Sequence, residues 1–429
     1  MPDQRTYRED SAGSAAADAV SSNAVSSNAV SSDVVSSNAV SSDVRALEAL
    51  LDENHPEKVA TAEWARTELD DPNLLHRDEA CEFWPEGWRR CAEQGIQGLV
   101  LDQELGGLGL DLTTAMLRFE GLGYGCADGG LVFALSSQIW TMQMALDRFG
   151  SNEQRRRYLP KLASGASIGS FAMSEPDSGS DAFALTTIAE ATEDGYRLNG
   201  TKAWVTLGPV SDVMVVFVTT NPAVGRWGVT AFVVDVDTPG IDVQPNRSKM
   251  GLRTTPFADV VFTDCEVPVE ARLGGEGAGA SIFSTAMETE RAFLLAGSVG
   301  RLERQIDDTV AYANERTQFG QPIGGFQSVS HEIAEMKYAH ETARLMLYKA
   351  TALQRRGTPS MMAAALAKLS SSEAALAGAM SSIRVHGAKG YVTDLGIERA
   401  LRDSVGGVIY GGSSGIQRNI IARLLGLPG

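Results

Sequence analysis

The hydrophobic period changes twice along this chain, and that limits what it can fold into. Before residue 165 and after residue 273, apolar side chains recur every three or four residues; between 166 and 272 they alternate. RALEALL, TAEWARTELDD and GWRRCAEQG carry the first helical stripe. YRLNG, KAWVTL, VMVVFVTT, GVTAFVVDV and FADVVFTDCEVP are β-branched or aromatic runs bounded by Gly, Asn, Asp and Pro. A helix stripe and a strand face each need a partner, and 429 residues exceed what one core usually serves. The expected class is α+β: a helical domain over 45–165, a β-domain over 166–272 and a helical domain over 273–429. A long apolar helix is expected through Ala134 to Phe149. Further helices are expected at about 281–314, 326–355 and 360–387, with a last one after Ser413.

Residues 1–44 are of low complexity. From Ala19 a five-residue unit repeats as AVSSN, AVSSN, AVSSD, VVSSN, AVSSD. Its small polar residues bury too little apolar surface to offset ordering, so a disordered tail is expected, with a tether as the alternative. Charge narrows the partners: 37 basic against 54 acidic residues leave −17, which argues against nucleic acid. No apolar run approaches the ~18 residues of a membrane span, and the N-terminus lacks the basic and apolar regions of a signal peptide. A cytoplasmic protein without membrane contact is expected. Cys81, Cys91, Cys126 and Cys265 show no CxxC spacing and read as reduced, buried thiols. The five histidines form no metal-binding pattern, so no metal is expected.

Two pieces of the β-segment point to chemistry. FAMSEPDSGSD, from Phe171 to Asp181, starts apolar and ends in small polar residues broken by Pro176 and Gly179. It reads as a buried strand opening into a loop rich in donors, suited to a flat, polar-edged cofactor or a phosphate. NGTKAWVT, from Asn199 to Thr206, puts Trp204 and Thr206 on one strand face, an aromatic plane beside a hydroxyl. An ordinary hairpin with a core tryptophan is the plainer reading of the same residues. Trp140, Met142 and Met144 fit a ligand tunnel or, more plainly, a helix core.

These two pieces resemble the FAD-binding signature of the acyl-CoA dehydrogenases, TEPGAGSD followed by NGxKxWIT. The resemblance runs from about Arg45 to Leu427. GGLGL at 106–110, GSNEQRRRYLPKLASG at 150–165, KMGLRTTPFADVVFTDCEVP at 249–268 and IYGGSSGIQR at 409–418 fall in family order. It implies the family's architecture: helical domain, barrel-like β-domain, four-helix bundle. It also implies FAD, a homotetramer, and an acyl thioester of coenzyme A or of a carrier protein as substrate. An electron-transfer flavoprotein or another acceptor would take the electrons. By resemblance the FAD contacts are Phe171, Met173, Ser174, Ser180, Trp204, Thr206, Arg316, Gln318, Phe319, Gln327, Arg384, Gly387 and Ser413. RTQFG, from Arg316, matches the family segment that reaches the FAD of a neighbouring subunit. Ser180, Arg291 and Gly411 are the implied substrate contacts. Arg384 stands where the family has Gln, and could hold a diphosphate or make an interface salt bridge. Gly415 replaces a Glu or Gln of the family.

The family's reaction removes a proton from Cα and a hydride from Cβ, so a carboxylate base is required. In medium-chain members the base lies in IYEGTSxIQR, and here that position is Gly411. In isovaleryl- and long-chain-type members it lies on an earlier helix, in LERLVLA. METERAFLLAG, from Met287 to Gly297, places Glu290 and Arg291 on that pattern. Glu288 is about 200° away on the helix, so the two acids cannot face one site. The plainer reading of Glu290 is a solvated charge paired with Arg291. A flavin oxygenase or N-hydroxylase on the same fold, which needs no base, and a non-catalytic flavoprotein are the alternatives.

Overall fold

The computed structural model describes residues 52–428. The expected tail at 1–44 and the RALEALL stretch lie outside the described residues. The N-terminal helices are α1 (Pro56–Glu68), α2 (Leu74–Ala80), α3 (Pro85–Glu93), α4 (Leu112–Gly125), α5 (Gly129–Ser137), α6 (Met144–Phe149) and α7 (Asn152–Ala163). α2 is too short to show a stripe and was not foreseen. A π-helical turn, Gln138–Gln143, joins α5 to α6, so the expected apolar helix is longer and carries a bulge. Trp140 and Met142 are fully buried, with the Trp140 ring 5.2 Å from Phe293 and 5.6 Å from Phe119. Both are core.

α4 is clamped on two sides. A Cβ on Gly121 would come within 2.2 Å of the Lys58 carbonyl oxygen, and one on Gly125 within 2.3 Å of that of Ala62, both in α1. Between them, a Cβ on Gly123 would meet the Gly297 carbonyl at 1.8 Å. Backbones this close exclude any side chain.

The middle segment is one mixed sheet of eight strands. The strands are β1 (Gly169–Ala172), β2 (Ile188–Ala191), β3 (Gly195–Thr206), β4 (Val213–Thr219), β5 (Val229–Asp235), β6 (Ile241–Val243), β7 (Phe257–Pro268) and β8 (Arg272–Leu273). The order is β6-β7-β3-β2-β4-β5-β8, with β1 parallel to β4 off the path. Every residue of β4 is buried, as a continuous apolar run predicts. Val213, Val215 and Phe217 face a cluster completed by helix residues such as Leu159 and Ile282. Met214, Val216 and Val218 face a cluster made by the other strands.

The C-terminal part consists of α8 (Gly279–Phe293), α9 (Ala296–Glu315), the hairpin β9 (Thr317–Gln318) and β10 (Gln321–Pro322), α10 (Gln327–Arg355), α11 (Met361–His386), α12 (Ala388–Tyr391), α13 (Ile397–Gly407) and α14 (Ser414–Leu424). The single helix expected at 281–314 is two. α8 rests on the sheet through Ile282 and Ala286, while α9 runs along α4. One straight rod cannot do both, and the chain leaves helical geometry at Leu295. α13 was not foreseen. Helical domain, sheet domain and helical domain follow one another as expected.

Candidate active site

The loop after β1 is fixed from below by a buried acid. Glu175 Oε2 accepts hydrogen bonds from the Thr186 amide and hydroxyl, both at 2.6 Å, and Oε1 from the Thr187 amide at 3.0 Å. Fully buried Lys202 donates to Glu175 Oε1 at 2.7 Å and to the Met173 carbonyl at 3.1 Å. Burial pushes the Glu175 carboxyl up, but the Lys202 ammonium and the threonine donors outweigh it and hold it at about 2. One ion pair thus ties SEPDSGSD to NGTKAWVT.

Above that pair the chain opens. The Ala203 amide donates to the Ser174 carbonyl at 2.8 Å. The β3–β7 register slips between Lys202 and Val205, and Trp204 takes a φ of 61° in that bulge. Bulges re-aim side chains, and a left-handed tryptophan is uncommon enough to mark a functional constraint. Ala203 and Val205 point into the core, whereas Trp204 is 46% exposed. The core-tryptophan reading therefore fails. Phe257 stacks 5.8 Å from the Trp204 ring, and the Arg247 guanidinium lies 4.8 Å from its centre. The Ser174 and Thr206 hydroxyls are half-buried and have no side-chain partner among the described residues. An aromatic plane beside two unspent hydroxyls fits the ring system of FAD. Phe171 turns its ring to Phe217 (4.9 Å) and Phe283 (6.4 Å), and Met173 is buried in the same cluster. Ser180 and Gly179 stand exposed at the loop's tip.

Phe283 and Glu290 are seven residues apart on α8 and share a face. Glu290 therefore lies two turns along from the point where α8 meets the Phe171 strand. It is 7% exposed and makes no hydrogen bond or ion pair among the described residues. Burial pushes its carboxyl up to about 7, against the opposing pull of Arg291 and Lys368. It is not the solvated, paired helix charge of the plainer reading. Glu288 faces elsewhere: it accepts from the Ser360 amide at 3.1 Å and from the Ser360 hydroxyl, at the start of α11. Gly411 has φ 62°, and a Cβ placed on it would be 3.0 Å from Glu290 Oε1. Gln417, fully buried, donates to the carbonyls of Gly411 (3.1 Å) and Gly412 (2.8 Å). Arg291 points to the same turn; its Nε is buried without a partner, 3.7 Å from where a Gly412 Cβ would sit. Ser413 accepts the Ile416 amide at 3.3 Å and caps α14.

The remaining cofactor candidates collect at one end of the bundle. Tyr312 stacks on His386 at 4.2 Å, bringing the end of α9 to the end of α11. Arg316, Gln318 and Phe319 follow α9, Gln327 opens α10, and Arg384 and Gly387 close α11. Phe319 is 94% exposed at a φ of 50°. Arg384 pairs with Glu332 at 3.5 Å within the chain. Sequence reasoning passed over Glu175, Lys202, Gln417 and Lys368. A signal existed for the two lysines: a charge inside an otherwise apolar strand or small-residue helix must find a partner. Cys81, read as buried, is only half-buried. Among the described residues no helix is long and apolar enough to cross a membrane.

The family models for the acyl-CoA dehydrogenase N-terminal, middle and C-terminal domains match residues 56–166, 170–265 and 277–426. The chain belongs to the acyl-CoA dehydrogenase family. An L-prolyl-[peptidyl-carrier protein] dehydrogenase of Pseudomonas fluorescens is 42% identical over 346 residues, covering 80% of this chain and 91% of that protein. Among solved structures, the prolyl acyl carrier protein oxidase AnaB superposes with a TM-score of 0.85 at 38% identity, covering 89% of this chain and 99% of that one. PigA with FAD and proline gives 0.84 at 36% identity, covering 87% and 97%. The expectation of an FAD-dependent oxidoreductase acting on the CH–CH unit of an acyl thioester stands for this acyl-CoA dehydrogenase.

Proposed function

We propose that this acyl-CoA dehydrogenase-family enzyme oxidises L-proline held as a thioester on a carrier protein, with Glu290 as the base. The observation that carries the base assignment is the fit of Glu290 against side-chain-free Gly411. A carboxyl held near 7 by burial is basic enough to take an α-proton and is still ionised in part at neutral pH. The proton on Cα passes to Glu290, and the Cα–Cβ single bond becomes a double bond as a hydride leaves Cβ. FAD, when bound, would supply the hydride acceptor. Arg291, with an unpartnered Nε beside the turn, takes a polar atom of the substrate. Trp204, Thr206 and Ser174 hold the flavin ring. Ser180, exposed at the loop tip, takes the pantetheine side.

Proline on a carrier is supported by the names of the relatives and by their coverage of nearly their whole length. A homotetramer in the cytoplasm follows the same reading, with the Arg316–Phe319 hairpin completing a neighbouring subunit's flavin site. The electrons leave to an electron-transfer flavoprotein or another acceptor; the oxidase relative supports dioxygen as that acceptor.

The test is anaerobic rapid mixing of FAD-loaded protein with L-prolyl-carrier thioester, L-prolyl-CoA, butyryl-CoA and isovaleryl-CoA. Fastest flavin bleaching with the carrier thioester is expected. Bleaching by butyryl-CoA alone would overturn the prolyl reading, and consumption of NAD(P)H and oxygen without any bleaching would favour the oxygenase.

A further inference from the structure

Lys368 is the one charged residue between Met361 and Ser372, in a stretch of α11 otherwise made of Met, Ala, Leu and Ser. It is 1% exposed, and lysine is almost never buried so completely without a partner. No carboxylate lies within 4.0 Å of it among the described residues. Its Nζ instead donates to the Gly407 carbonyl at 2.6 Å and sits 5.9 Å from the Tyr410 ring centre. Gly407 begins the turn whose other end, Gly411, abuts Glu290. The turn is therefore touched at one end by a buried ammonium and at the other by a buried carboxyl.

The other charges around that turn are engaged. On α9 and α13, Arg301 and Asp403 pair at 3.0 Å. On α11, Glu373 pairs with Arg418 at 3.2 Å. On α8, Glu288 holds Ser360. The Tyr410 phenol is pushed up by burial and stays neutral. That leaves Glu290, Arg291 and Lys368 as uncompensated charges in one water-poor region. Lys368, brought down to about 8 by burial against the pull of Glu290, remains an ammonium at neutral pH.

We infer that Lys368 is a positioning residue for Glu290: it holds the 407–411 turn by its first carbonyl and supplies the buried positive charge that keeps the carboxylate form within reach. This rests on Glu290 being the base only for its consequence in catalysis; the coupling itself is independent of that. A neighbouring cation favours ionised carboxyl by an amount that reads directly as a shifted midpoint.

The experiment is an infrared titration of the Glu290 carboxyl in FAD-loaded protein without substrate, with the band assigned by its loss in Glu290→Gln. Wild type, Lys368→Arg, Lys368→Gln and Lys368→Met are compared. The midpoint should rise by about one pH unit in Lys368→Met and Lys368→Gln and stay near wild type in Lys368→Arg. Lys368→Gln keeps an N–H for the Gly407 carbonyl, so it reports on the charge even if Lys368→Met does not fold. In rapid mixing with L-prolyl-carrier thioester, Lys368→Met and Lys368→Gln should reduce flavin up to ~10-fold more slowly below the midpoint and near the wild-type rate well above it, and Lys368→Arg should follow wild type throughout. An unmoved midpoint in Lys368→Gln overturns the inference. Should Glu290→Gln reduce flavin at the wild-type rate, the base assignment fails, while a shifted midpoint in Lys368→Gln would still establish the coupling.

Discussion

Glu290 Oε1 lies 3.0 Å from the point that a Cβ on Gly411 would occupy. Gly411→Ala should therefore displace the carboxyl and also force alanine to a φ of 62°. We expect a loss of about 1–3 kcal/mol in stability and flavin reduction slowed more than ~10-fold, since small misplacements of a reacting group are costly. Stopped-flow reduction and thermal unfolding measure the two effects. Gly411→Glu in a Glu290→Ala background should recover part of the lost rate, because the new acid enters the space that the Glu290 carboxyl has left.

Glu290→Gln should slow flavin reduction by ~10²–10⁴-fold, the usual worth of a positioned base. Flavin content and oligomer size should hardly change. Wild-type-like reduction in this variant would sink the assignment.

The same substitution should stabilise the protein at alkaline pH. The folded state raises the Glu290 carboxyl from 4.5 to about 7, so the fold favours its protonated form. That contribution is fully present below about pH 4.5 and is lost as pH rises through 7. At pH ~8 wild type should thus trail Glu290→Gln by roughly 3 kcal/mol, and near pH ~4 the two should coincide. Denaturant titrations at both values decide it. In activity the sign reverses: flavin reduction should rise with pH through a midpoint near 7, as the base form appears.

Breaking the Glu175–Lys202 ion pair should cost more than removing it. Glu175→Gln or Lys202→Met leaves a buried charge alone and should lose about 3–5 kcal/mol. The double variant Glu175→Gln with Lys202→Met should recover part of this. Bound flavin, read by absorbance, should fall with the single variants, because both loop ends depend on the pair.

Trp204→Ala should lower bound FAD while leaving the assembly intact, and Phe319→Ala should lower FAD and weaken the assembly together. The difference follows from their placement: Trp204 sits in the sheet, and Phe319 projects from a hairpin at 94% exposure. Light scattering with absorbance detection separates the two. An FAD-loaded monomer of wild-type protein would remove the cross-subunit role of Phe319.

The order of helical, sheet and helical segments was legible because amphipathic period survives even where length does not. The break at Leu294–Leu295 was not, since both residues are apolar and the cause lies in two distant surfaces, the sheet and α4. Glu290 and Gly411 were legible as a pair of positions, but their 3.0 Å approach and the burial behind it are tertiary facts. Trp204 was placed on the right face; its bulge could not be seen, because a one-residue register slip leaves no mark in alternation. Lys368 was printed in plain sight as a charge among alanines, and only the position of Gly407 gives it meaning.

The three glycines of α4 have a consequence for how this sequence tolerates change. Because its backbone touches α1 on one side and the Gly297 carbonyl on the other, the gap between those helices is set by main-chain thickness alone. In a saturation scan, positions 121, 123 and 125 should reject alanine as firmly as leucine, while Thr114 and Arg118, on the same helix but not fully buried, accept many residues. A lineage drifting from this sequence can rewrite the half-buried positions of α4, but it cannot thicken the helix at these glycines without prising α1 or α9 away.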